Sequence, residues 1–335
     1  MEKDASATPQ IFYSMENKIY NYYRFFGWSI LAAVVAFLIN NVLQLSFGFQ
    51  SIFLVDNKFS TTSIVEFTVY LLSFLISLIL MLKLNGKPLR YDSKILHNFN
   101  VYIIRSCFWV IFLVGLVDIT ISFLRVEKLF ELFLSKELTS QFTRPVFVGS
   151  YIHVPLIIIG FIIGMFTRTL GFQWLSLLIV VSELLIVIAR FIFSYEQTFM
   201  GDLVRYWYAG LFLFASAYTL YEEGHVRVDI FYQGLQMKTK GLVNSVGSIV
   251  LGVSTSMTII FIGFNGKQSI INSPILNFEI TQQGSVGMFI KYHLAMFLGV
   301  FGITMLIQFI SYFFESLADY YGEEGKRVIE NQSSH

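Results

Sequence analysis

Residues 25–55 run without a single Asp, Glu, Lys or Arg. Lipid cannot satisfy bare backbone amides, so an apolar stretch of this length is obliged to be helical where it crosses a bilayer. A crossing takes about 20 residues, because about 30 Å of hydrocarbon is spanned at about 1.5 Å per residue. The same criterion along the whole chain predicts eight spans, over 25–47, 62–82, 101–124, 147–166, 171–193, 203–221, 242–264 and 286–309. The expected fold is an all-α polytopic integral membrane protein of about eight transmembrane helices in two four-helix blocks. The blocks meet at the turn around Arg168, which gives an amino-terminal region over 1–168, a second region over 169–315 and a polar tail over 316–335.

Composition narrows the function classes. Only 13% of the 335 residues are charged, against about a quarter in soluble proteins, so membrane lipid is an obligatory partner. A net charge of +1 provides no basic field for nucleic acid. Cys107 is the lone cysteine, which rules out an internal disulfide and any cysteine-based zinc or iron–sulfur centre. Residues 1–21 are polar and the first apolar run is long, so that helix is expected to stay as an anchor instead of being removed as a signal peptide. With the amino terminus inside, fourteen of the 23 Lys and Arg residues fall on the cytoplasmic side and nine on the other, which favours both termini in the cytoplasm.

The two blocks share an order of spans and loops and a trace of wording, 86–92 (GKPLRYD) in the first and 224–229 (GHVRVD) in the second. A parallel duplication and a chance similarity both remain open.

A more specific pattern spans residues 190–230. Arg190-Phe191 closes one span and Gly201-Asp202 opens the next. Glu222-Glu223-Gly224-His225-Val226-Arg227-Val228-Asp229 follows that one. This resembles the small membrane subunit, of DctQ type, of tripartite ATP-independent periplasmic (TRAP) transporters. The resemblance covers about the second half of the chain and leaves the first four spans as an extension. It implies a non-catalytic small permease subunit in the bacterial inner membrane, partnered by a large TRAP permease subunit and a periplasmic solute-binding protein. In that scheme a sodium gradient drives uptake of an organic acid or related solute through an elevator motion of the large subunit. The small subunit is the static scaffold, with no catalytic residue, cofactor or metal of its own.

Glu183, Arg190, Asp202, Glu222, Gly224, His225, Arg227 and Asp229 are therefore the candidate subunit-interface or structural residues. The apolar positions from Val226 to Met237, with Arg227, Asp229, Lys238 and Lys240 between and after them, read as a helix lying in the membrane interface. It serves either as a contact for the large subunit or as a snorkelling anchor. Glu183 falls near the middle of the fifth span, where a carboxylate costs about 2.5–3.5 kcal/mol to insert. An interhelical bond, a partner-subunit contact and an ion-coupling site are its three readings. Arg190 lies seven residues further on the same face and suits the carboxylate of another helix. Asp118 sits near the outer end of the third span.

Two rival functions follow from the spans alone. A self-sufficient secondary transporter needs ionisable or broken helices around a midplane site in both halves, and only Glu183 meets the first requirement. A haem or redox protein needs facing imidazoles at one depth. Of the histidines, His97 and His225 fall in inner loops and His335 near the end, leaving His153 and His293 on the outer side. There is no Walker-type glycine loop for an ATP-driven pump and no Gly-x-Ser-x-Gly elbow. Gly160 and Gly164 make a Gly-x-x-x-Gly step that can bring two helices close together.

Overall fold

The computed structural model describes residues 7–49, 61–222, 231–281 and 283–327. Eight long helices carry them: α1 (Ala7–Phe47), α2 (Thr61–Lys83), α3 (Leu89–Val126), α4 (Pro145–Phe166), α5 (Phe172–Phe193), α6 (Thr198–Tyr221), α7 (Met237–Phe264) and α8 (Lys291–Tyr321). No strand occurs among the described residues. The protein is an all-α multi-pass membrane protein, and seven of these helices are long and apolar enough to cross a bilayer. The remaining one, α6, has the length at 24 residues, but Arg205, Tyr206, Trp207, Tyr208, Tyr218 and Tyr221 lower its mean hydropathy.

Three boundaries differ from the sequence expectation. α3 starts at Leu89 and not near 101, so the basic stretch read as a loop is largely helix. His97, placed in an inner loop above, lies within it, its Nδ1 3.3 Å from Gln308 Oε1. α8 starts at Lys291 instead of 286 and runs to Tyr321, burying Leu317 and Ala318 beyond residue 315. The short fourth span survives its proline because a π-helical turn over Gly149–His153 precedes Pro155 and absorbs the missing hydrogen bond.

The chain divides into two compact units. One comprises Met1–His97, His225–Met257 and Leu306–His335. Its α1 and α2 are polar toward each other: Ser29 and Ser77 hydroxyls lie 3.1 Å apart, and the Gln44 amide donates to Glu66 Oε1 at 3.3 Å. Arg24, fully buried, donates from Nε to Asp92 Oδ2 at 2.8 Å and from a terminal nitrogen to the Lys87 carbonyl, while Trp28 donates to Asp92 Oδ1 at 3.0 Å. Arg90 gathers Glu315 and Asp319 of α8. Glycines let helices touch here: a Cβ on Gly241 would lie 2.6 Å from the Tyr320 backbone nitrogen.

The other unit comprises Asn98–Gly224 and Thr258–Met305. Its core is built from Ile104, Phe108 and Ile111 of α3, Tyr206, Trp207 and Phe214 of α6, and Phe297 of α8. Gly160 and Gly164 press α4 onto α3 so closely that a Cβ would stand 2.8 Å from the Val110 nitrogen or 2.9 Å from the Ser106 Cα. The Gly-x-x-x-Gly step is thus a true helix–helix contact.

Candidate functional site: a buried polar cluster and an outward carboxylate

Buried non-helical backbone survives only where its surroundings supply hydrogen-bond partners. Residues 287–290, just ahead of α8, are such a stretch: Met288, Phe289 and Ile290 are fully buried. Two carboxylates hold it. Asp118 of α3 accepts the Phe289 N–H through Oδ2 at 2.8 Å, and Asp202 of α6 accepts the Met288 N–H at 3.1 Å. The Asp202 Oδ2 also accepts the Thr281 hydroxyl at 3.4 Å, and Arg205 stands 3.6 Å from its Oδ1. A Cβ on Gly287 would meet Asp202 Oδ2 at 2.6 Å, so only glycine fits under that carboxylate.

The first carbonyl of the segment goes to Arg125. It donates to Gly287 O at 2.6 Å and, just before the segment, to Ser285 O at 2.9 Å, and its guanidinium stacks 3.9 Å from the centre of the Phe289 ring. Carboxylates thus take two amides and a guanidinium takes one carbonyl of a single buried segment, ahead of a helix start where negative charge is favoured.

Around Asp118 lies a buried ring cluster. His153 Nε2 is 3.3 Å from Asp118 Oδ1, close enough for an ion pair but not aligned as a hydrogen bond, and its Nδ1 meets the Tyr292 hydroxyl. His293 Nδ1 is 3.3 Å from the Tyr206 hydroxyl. The two imidazoles pack edge to face at 5.1 Å, which leaves no gap for a macrocycle between them. Among the described residues no three His, Cys, Asp or Glu side chains are arranged to hold a metal ion. The cluster brings α3, α4, α6 and α8 together by polar contacts inside an apolar bundle, and its chemistry is that of a fastener.

Of the eight candidate interface or structural residues, only Asp202 belongs to this cluster. Gly224, His225, Arg227 and Asp229 lie outside the described residues, as does the start of the expected interface helix, 226–230; the described residues 231–236 are turn, bend and irregular backbone and not the expected helix, and α7 starts at Met237. Glu222 is exposed just past α6. Arg190 is 60% exposed and pairs at 3.2 Å with Glu196 of the following connection, not with the carboxylate of another helix as expected. In that same connection the Tyr195 hydroxyl donates to Glu127 at 2.9 Å. Burial and the neighbouring Glu127 push its phenol up to about 12.

Glu183 is exposed on α5, with no hydrogen bond or ion pair to any described residue. The interhelical bond within the chain, one of its three readings, is absent among the described residues. What sequence reasoning missed is the gathering of Asp118, His153 and His293. Each was visible as a polar residue in an apolar run, but nothing local tells which runs face one another.

Residues 179–319 match the family model described as Tripartite ATP-independent periplasmic transporters, DctQ component. No curated protein and no solved structure matches the chain. The matched stretch starts inside α5 and ends inside α8, so it includes Asp202 and the 287–290 segment but neither Asp118 nor His153.

Proposed function

We propose that the chain, which carries a TRAP DctQ-type small-subunit domain over residues 179–319 behind an amino-terminal region of extra helices, is the scaffold subunit of a three-part solute importer. The family match is the observation that carries this reading. In it a periplasmic binding protein delivers an organic acid or related solute, and a large permease carries the solute inward on a sodium gradient by an elevator motion. This chain stays fixed in the inner membrane with both termini in the cytoplasm. Its helices provide the surface against which the mobile part slides, and it holds no substrate or sodium site.

The interior chemistry supports the scaffold role. Asp118 and Asp202 are spent on backbone amides, and Arg125 on backbone carbonyls, so these charges are committed to rigidity and not to a mobile ion. The close glycine contacts of α4 on α3 and of α7 on α8 have the same effect. Residues 1–168 enlarge the scaffold, the four-helix region over 169–315 holds most of the family match, and Arg227 and Asp229 contact the large subunit.

Uptake in proteoliposomes tests the proposal. The purified chain alone is expected to transport nothing, and uptake appears only when the large permease, the binding protein and an inward sodium gradient are all supplied. Uptake by the chain alone would establish a self-sufficient transporter in its place.

A further inference from the structure

α5 is an unusual membrane helix. Only 11% of its most apolar stretch is buried, against 50% for α3 and for α8. Trp174, Leu177, Val180, Leu184 and Val187 are all exposed on it. Such a surface suits lipid, except that Glu183 lies among them, the twelfth of 22 residues.

That carboxylate has no local remedy. It stands roughly 16 Å of helix from either end, too deep for a short side chain to reach water by snorkelling. Protonation removes the charge but leaves a donor and an acceptor unpaired in hydrocarbon, which is costly in its own right. Ionisable residues inside membrane helices almost always face protein or a water-filled cavity and mark functional positions. Glu183 faces neither among the described residues.

The pattern around it is that of a seam. Ser176, Glu183 and Arg190 recur at intervals of seven, all exposed, with Val180 and Val187 between them. Seven-residue spacing drifts by only about 20° around a helix, so the three polar groups line one stripe. A polar stripe flanked by β-branched residues is what a neighbouring membrane helix covers, with hydrogen bonds across the contact.

We infer that the outward stripe of α5 is a subunit interface, covered by a membrane helix of the large permease that sets a cationic or hydrogen-bond-donating side chain against Glu183. The inference rests on the small-subunit reading above and names the helix and the residue it uses. A second copy of this chain is a poorer occupant, because symmetric packing on the stripe sets two Glu183 carboxylates against each other. Charge complementarity therefore selects a different chain.

The test uses the full chain, tagged and co-expressed with the large permease, extracted in mild detergent. A photo-crosslinking residue at Val180 or Val187 is expected to trap the permease. Glu183→Leu should insert at wild-type level, since it removes the costly group, yet retain at least tenfold less permease. Glu183→Gln, which keeps an acceptor and a donor, should lose severalfold less than Glu183→Leu. If the wild-type chain retains the permease while neither crosslink reaches it and Glu183→Leu retains it fully, the inference is overturned and the small-subunit reading stands. If the wild-type chain retains no permease, the small-subunit reading fails and the inference with it.

Discussion

The inward pair Asp118 and Asp202 and the outward Glu183 are carboxylates of one compact unit, and their surroundings could hardly differ more. Asp118 and Asp202 are buried and accept consecutive backbone amides, at 2.8 and 3.1 Å, from a segment that would otherwise be unsatisfied. Glu183 is exposed on the least buried span. A charge inside the bundle can be explained by the fold that surrounds it. A charge on its outer face is not explained by any described residue. On the proposed reading the first kind builds the fold and the second marks where the large subunit sits.

The largest expected effect falls on the inward side. Asp118→Ala strips the Phe289 amide of its acceptor and removes the carboxylate beside His153 within a buried site, which should cost about 3 kcal/mol in unfolding measured on the isolated chain in detergent. Gly287→Ala forces a methyl to within 2.6 Å of Asp202 Oδ2, and an overpacking penalty of about 2 kcal/mol is expected. Asp202→Asn keeps an acceptor for Met288 but gives up the charge, so a loss of about 1 kcal/mol should register in the same assay. If these three variants matched wild type, the contrast between the two kinds of carboxylate would collapse.

The smallest effect belongs to the connection after α5. The Tyr195 phenol is raised to about 12 in the folded chain, against an unfolded value of about 10. The folded state therefore keeps a proton that the unfolded state releases. Its contribution is fully present below about pH 10 and is lost as pH rises through 12. Ultraviolet difference titration should show one phenol near 12 that vanishes in Tyr195→Phe and moves toward 10 in Glu127→Gln. A surface pair of this kind adds little to stability, and it checks that the rim beyond α5 is placed as described.

The architecture was legible in the sequence because it depends on apolar run length, a property one segment carries by itself. Helix ends were less so. α3 extends back to Leu89 because Asp92 in its first turn meets Arg24 and Trp28, residues more than sixty positions away. α8 starts at Lys291 and not at 286 because Asp118 and Asp202 take the Phe289 and Met288 amides and hold the intervening backbone out of the helix. Asp202 is legible from its position at the opening of the sixth helix, whereas the sequence places His153 and His293 only on the same outer side. Their meeting at 5.1 Å depends on which helices adjoin, and composition and spacing carry no such information. Arg190 was assigned to a partner helix because the reach of Glu196 in the next connection is a matter of loop geometry.

The division between building charges and partner-marking charges comes down to Glu183 in the isolated chain. Its thermal unfolding in detergent, compared between wild type and Glu183→Leu, should show no loss of stability, because no described residue depends on that carboxylate. A fall of about 3 kcal/mol, equal to that expected for Asp118→Ala, would mean that Glu183 holds its own fold together, and the outward stripe of α5 would no longer call for a partner.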